Sequence, residues 1–99
     1  MVLKRIPNRL RKHRRIIGYT QKEVAHRLKL RGVGRISQWE NGVRFPGIKN
    51  LIKLSILYRT LVDELYYDLR EIVRKEFDSE RTQTDQADDI PPPKSGAKR

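Results

Sequence analysis

Cysteine is absent from the 99-residue chain, which excludes disulfides and any thiolate metal site. Histidine is nearly so. His13 and His26 stand at no metal-like spacing, and no acidic residue completes a ligand set beside them, so no metal is expected. Long apolar runs are missing too. The N-terminal MVLKRIPNRLRK has no signal-peptide core, and no stretch approaches membrane-spanning length. A soluble, cytoplasmic protein is expected, nucleoid-associated if bacterial, with no membrane partner. No segment alternates with a two-residue period for long enough to make a strand. No nucleophile, base and orienting acid form a set, so no catalytic residue, no cofactor and no enzymatic activity are expected. A chain this short makes one domain and a tail.

Acidic residues are scarce in one region only. Residues 1–59 hold 16 Lys/Arg against 2 Asp/Glu, a net of +14. Residues 60–80 hold 3 basic and 7 acidic residues, a net of −4, and residues 81–99 add +1, giving the overall +11. A generic solvated surface mixes the signs more evenly. The cationic part favours a polyanionic partner, because its field concentrates phosphates at the surface.

Periodicity and caps place five helices. The first spans about residues 7–17, with Pro7 at its first position, Ile6, Leu10, His13 and Ile17 on one face, and Gly18 as its stop. His13 is expected to be half-buried with a backbone partner, while Arg9, Arg11, Lys12, Arg14 and Arg15 cover the other side and draw phosphates. Thr20 and Glu23 form a capping box that opens the second helix, whose inner stripe is Val24, Ala25 and Leu28. The third helix covers residues 33–40, with Ile36 and Trp39 inward and Asn41-Gly42 as its stop. The fourth carries Ile48, Leu51, Ile52 and Ser55 at helical spacing. The fifth spans residues 60–77, with a stripe of Val62, Leu65, Leu69, Ile72 and Val73. The Ser79–Arg99 stretch contains three consecutive prolines and one large aliphatic, Ile90, and reads as a disordered tail. The domain is thus residues 1–78 and the tail 79–99.

Residues 31–34, RGVG, pose a choice between a phosphate-cradling nucleotide loop and the entry to a nucleic-acid-reading helix. The first fails: no strand precedes it, no Gly-Lys-Ser/Thr ending follows, and the G-x-G-x-x-G spacing is missing. Residues 20–41 instead have the shape of a helix-turn-helix. Ala25 is small where a second helix must cross closely, and Ile36 supplies the apolar knob that meets it. The outward positions of residues 33–40 carry Arg35, Ser37 and Gln38, side chains suited to base edges in the major groove.

On the stretches TQKEVAHRL (20–28), ISQWENG (36–42), RFP (44–46) and IKNLIKLSILYRTLVDEL (48–65), the sequence resembles the Cro/CI-type, or XRE, family of helix-turn-helix transcriptional regulators. The resemblance covers about residues 6–66. It implies an all-α, compact five-helix phage-repressor-like domain that binds double-stranded DNA, here with an extended last helix. It also implies a DNA-contacting set of Gln21, Lys22, Arg31, Gly32, Val33, Gly34, Arg35, Ser37, Gln38, Asn41 and Arg44. In it Gln21 touches a phosphate and braces the recognition helix, Arg35 and Gln38 face bases, and Asn41 and the following loop meet the backbone. The turn between Leu28 and Ile36 is one residue longer than the family's pattern, and Lys29-Leu30 stand where its turn glycine is common. Arg35 can therefore fall on a base or on a phosphate.

The leading function is a sequence-specific transcriptional regulator, a repressor. Val62, Leu65, Leu69 and Ile72 are spaced three, four, three, as in a two-helix seam, so the last helix either folds back on the first or pairs two copies, with Leu65, Tyr66, Leu69, Ile72, Val73 and Phe77 as the candidate homodimer contact. The competing reading is an antitoxin or adaptor whose C-terminal helix and tail bind a protein partner, with DNA binding for autoregulation. RNA binding is a third reading, weakened by the lack of an RNA module or exposed stacking aromatics.

Overall fold

The structure, a computed structural model, describes the backbone of residues 4–84 and the side chains of residues 4–80. Among these residues all regular structure is helical: α1 Leu10–Ile17, α2 Gln21–Arg27, α3 Gly34–Glu40, α4 Ile48–Tyr58, α5 Val62–Leu65 and α6 Tyr67–Thr84. Most of the expected tail, residues 85–99, lies outside the described residues. No helix among the described residues is long and apolar enough to cross a membrane.

Local chemistry sets each boundary. α1 begins three residues later than Pro7 suggests, because Asn8 Oδ1 accepts the Leu10 amide at 3.0 Å and starts the helix there. Thr20 and Glu23 form the expected capping box, with Glu23 N donating to Thr20 Oγ1 (3.0 Å) and Thr20 N to Glu23 Oε1 (2.8 Å). Four helices then stop by one device. A left-handed residue follows each of α1 to α4: Gly18, Lys29, Gly42 and Arg59, respectively. After α2, Lys29 N donates to His26 O and Leu30 N to Ala25 O, which is the Schellman pattern. The lysine thus adopts the left-handed conformation usually given to glycine.

The expected fifth helix is broken. Its first part, α5, ends at Leu65, Tyr66 leaves the helical conformation, and α6 starts at Tyr67. The carbonyl of Leu65, which a continuous helix would direct to residue 69, accepts the Arg9 amide at 2.8 Å. The Tyr66 ring is drawn inward against Phe45, with centroids 5.6 Å apart. α6 then runs to Thr84, past the expected end at Phe77.

The core is built from Leu10, Val24, Ala25, Leu28, Ile36, Trp39, Leu54, Tyr58, Leu65 and Tyr66. α1 packs on α3 and α4, α2 on α3, and α5 on α4 and α6. Ala25 and Ile36 meet the crossing requirement expected of them, both being buried. Two expectations are corrected. α4 buries Leu54 and Tyr58, leaving Ile48 and Ile52 exposed. Of the candidate dimer seam, Leu65 and Tyr66 lie inside the monomer's own core and Leu69 packs against it, Ile72 is half-buried, and Val73 and Phe77 are open.

The left-handed positions differ in what they tolerate. A Cβ on Gly42 would stand 2.5 Å from the Ile6 carbonyl oxygen, at the point where Ile6 N donates to Gly42 O at 2.8 Å. Gly42→Ala is expected to cost more than about 2 kcal/mol, combining left-handed strain with that clash. Lys29→Gly relieves strain of about 1–2 kcal/mol and gives back about 0.5–1 in chain entropy, for a net gain of about 0.5–1 kcal/mol. Urea midpoints of the two variants against the parent check both signs.

Candidate nucleic-acid interface

α3 presents two chemically distinct sides. Ile36, Trp39 and Glu40 point inward and are buried, while Gly34, Arg35 and Gln38 are exposed and Ser37 is half-buried. The six residues from Leu28 to Val33 that connect α2 to α3 bring Arg31, Gly32 and Val33 to the surface beside the start of α3. A Cβ on Gly32 or Gly34 would meet nothing within 4 Å, and neither glycine has a positive φ. The fold therefore requires glycine at neither position, in contrast to Gly42.

The end of α3 is held from three sides by one carboxylate. Glu40 is buried, and Arg14 from α1 meets it with a two-pronged contact, Nε to Oε2 at 2.6 Å and Nη2 to Oε1 at 3.2 Å. Gln21, at the start of α2, donates to Oε1 at 3.0 Å, and Arg11 Nε does so at 3.2 Å. Arg14 Nη1 also donates to the Tyr19 carbonyl at 2.9 Å. Burial alone would raise the Glu40 pKa. The hydrogen bonds from Arg14, Gln21 and Arg11 outweigh that penalty and hold the carboxyl below its ordinary range. Tyr58 lies in the same field, and burial with the Glu40 charge keeps its phenol neutral.

The expected brace by Gln21 is thus present in the structure, acting through Glu40. Asn41 follows directly: its Oδ1 accepts from Arg11 Nη2 (3.0 Å), its Nδ2 donates to Ser37 Oγ (3.3 Å) and its carbonyl accepts from Arg5 Nη1 (3.2 Å). Asn8 Nδ2 reaches the carbonyls of Trp39 (3.1 Å) and Glu40 (3.3 Å), closing the C-terminal end of α3 against the start of α1. Gln21, Ser37 and Asn41 therefore come together around that end of α3, with Arg5 and Arg11 alongside. Lys22 is exposed next to Gln21 in sequence, Gln38 is exposed on α3, and Arg44 is exposed in the loop to α4. Arg31, Gly32, Val33, Gly34 and Arg35 gather at the opposite end of α3.

Several arginines of α1 and its approach do not belong to a free basic face. Arg14 is buried. Arg9 grips Asp68 with two bonds, Nε to Oδ2 at 3.0 Å and Nη2 to Oδ1 at 3.1 Å, reaches Glu64 at 3.2 Å, and lies 4.6 Å from the Tyr67 ring centroid. His13 is half-buried as expected, yet its partner is a side chain: Nε2 lies 3.1 Å from Glu64 Oε2. That contact and Arg9 hold the Glu64 carboxyl below its ordinary range. Lys12 and Arg15 are exposed and retain the expected solvent-facing role.

Arg14, expected on the outer side of the first helix, is instead buried on Glu40, and the roles of Asn8 and Glu40 are not apparent from local pattern. One signal was available. Glu40 is one of only two acidic residues before position 60, and it sits in the helical register of buried Ile36, so a cation had to meet it.

A sequence profile described as "Helix-turn-helix domain" matches residues 8–76, most of the chain. The chain belongs to the XRE-type helix-turn-helix family. Among curated relatives, it is 42% identical over 57 residues to the HTH-type transcriptional regulator ImmR of Bacillus subtilis (strain 168). The match covers 58% of this chain and 44% of that protein, so the chain spans less than half of the relative's length. No solved structure matches. Within this helix-turn-helix, the left-handed residue of the turn comes at Lys29, and residues 30–33 lead into α3 with no further left-handed residue.

Removing the central carboxylate leaves Arg14 without its main partner in a buried setting. Glu40→Gln is expected to destabilise the domain by about 3–5 kcal/mol. The pH dependence has one sign: a carboxyl with depressed folded pKa stabilises above the unfolded value, about 4.3, and that contribution fades as pH falls through the folded value. The parent should therefore lose stability below about pH 4.3 more steeply than Glu40→Gln, as thermal melts across pH 3–7 would read.

Proposed function

We propose that the protein is a sequence-specific double-stranded DNA-binding regulator of transcription, acting as a repressor, that lays α3 in the major groove. The observation that carries this reading is the division of α3: its inner side is locked by the Glu40 network, and its outer side offers Arg35 and Gln38. Membership of the helix-turn-helix family and the name of the Bacillus relative support it.

In this reading Arg35 and Gln38 contact base edges, where a two-pronged guanidinium or amide contact discriminates between base pairs. Val33, exposed and apolar, suits a thymine methyl. Gln21, Lys22, Arg31, Ser37, Asn41 and Arg44 hold phosphates and set register. Gly32 and Gly34 keep the backbone bare where the duplex comes closest, which accounts for glycine at two positions where the fold has no need of it.

Selection of bound duplexes from a random pool, followed by anisotropy titrations at fixed salt, tests the assignment. Arg35→Ala should reduce discrimination at one base position per half-site by about tenfold or more, at about 1–3 kcal/mol for a lost two-pronged contact. Lys22→Ala should weaken all sequences alike and flatten the salt dependence. A uniform loss on Arg35→Ala would make Arg35 a phosphate contact. Gly34→Ala should leave the fold as stable or raise its stability by up to about 1 kcal/mol, yet lower DNA affinity. Unchanged affinity would remove that segment from the interface.

A further inference from the structure

The loop between α3 and α4 carries Arg44, and its own backbone does little to hold it. At the start of the loop, Val43 N donates to Gln38 O at 2.9 Å and Gly42 O accepts from Ile6 N at 2.8 Å. From residue 44 to residue 46, the chain makes no hydrogen bond among the described residues. Arg44 is exposed and forms no ion pair among them. Two side chains fix the segment instead. Pro46 is buried, and its ring locks the backbone angle φ. Phe45 packs on Tyr66, with ring centroids 5.6 Å apart and planes tilted by 45°, within the range of favourable aromatic pairs. Phe45 is 55% exposed against 7% for Tyr66, so Tyr66 is the fixed member and the loop leans on it.

Tyr66 is fixed because α1 anchors the chain on both sides of it. Its backbone leaves the helical conformation, with φ −121° and ψ 35°. Just before it, Leu65 O accepts Arg9 N at 2.8 Å and Glu64 accepts Arg9 Nη1 at 3.2 Å. Just after it, Asp68 accepts two bonds from the same guanidinium. The Tyr66 hydroxyl plays no part in this, since Oη is buried with no hydrogen-bond partner among the described residues. Contact with the loop is made by the ring.

We propose, on the DNA-binding reading of the preceding subsection, that Phe45 and Tyr66 are positioning residues for Arg44. The break in the last helix then sets where the cation of the α3–α4 loop meets the DNA backbone. A cation on a loop that is already ordered meets a phosphate without the entropy loss of ordering that loop on contact. Freed from Tyr66, the same cation loses affinity by that amount, although its charge is unchanged.

Loop order and DNA affinity together test this. In the full chain without DNA, NMR relaxation should give the Arg44 and Phe45 amides order parameters near the rigid value of about 0.85. Phe45→Ala and Tyr66→Leu should lower the Arg44 value toward about 0.6, whereas Tyr66→Phe, which keeps the ring, should preserve it. Thermal melts report the fold of each variant, and Phe45→Ala, at a half-exposed position, decides if Tyr66→Leu fails to fold. On duplexes selected by the parent, Phe45→Ala should weaken binding to all sequences alike by about fivefold, the scale of ordering one loop residue. Arg44→Ala should weaken binding at least as much and reduce the salt slope by about one phosphate. Adding Phe45→Ala to Arg44→Ala should cost little more, because Phe45 acts through Arg44.

Unchanged loop order in Phe45→Ala overturns the proposal. So does an Arg44→Ala protein that binds like the parent, or an additive loss in the double variant, the result of a Phe45 that touches DNA itself. A parent that binds no duplex fails the DNA reading and this proposal with it. A parent that binds, with Phe45→Ala binding equally well, fails the proposal alone.

Discussion

The Glu40 carboxylate is the constraint on which the arrangement of the first three helices depends. It sits at the last residue of α3, whose outer side carries Arg35 and Gln38, and it is reached by Arg14 and Arg11 from α1 and by Gln21 from α2. A buried charge is tolerated only when its lone pairs are met, and here three side chains meet them. Hydrophobic contacts such as Ala25 and Ile36 bring α2 and α3 together but are non-directional. The ion pair adds direction, fixing the rotation of α3 about its axis and so which residues it shows to the outside. Arg35 and Gln38 face outward because Glu40, Ile36 and Trp39 cannot.

A second polar cluster governs the other end of the molecule. Arg9 links α1 to the junction of α5 and α6 through Glu64, Asp68 and the Leu65 carbonyl. The acidic helix therefore meets the basic one inside a single chain, at its junction. The charge partition visible in the sequence serves two purposes at once. Part of it is spent within the fold, by Arg9, Arg11 and Arg14. The rest, including Lys22, Arg31, Arg35 and Arg44, stays on the surface around α3. Composition counts both kinds alike, since a guanidinium has the same formal charge whether or not it is paired.

Elements with strong local signals are legible in the residues themselves. The capping box at Thr20 and Glu23, the inward Val24, Ala25, Leu28, Ile36 and Trp39, and the stop at Asn41-Gly42 depend on neighbours within a turn or two. The helix-turn-helix family is legible for the same reason, because its order of caps, small residue and knob lies within residues 20–42. Less legible is α4, in which IKNLIKLSILY is apolar on nearly every side. Periodicity offers a stripe through Ile48 and Ile52, and the core takes Leu54 and Tyr58 instead. The break at Tyr66 is hidden because its cause is the Arg9 amide, far away in sequence.

By itself, then, the sequence determined an all-helical chain, the helix-turn-helix with its inward residues, and a cationic body followed by an acidic helix, because propensity, capping and charge are local properties. Tertiary structure alone decided which arginines are internal partners, which stripe of α4 is buried, and where the last helix divides. Each of those outcomes depends on a contact between residues more than 25 positions apart, such as Arg14 with Glu40 or Arg9 with Asp68, and no short-range pattern encodes the geometry that brings such residues within hydrogen-bonding distance.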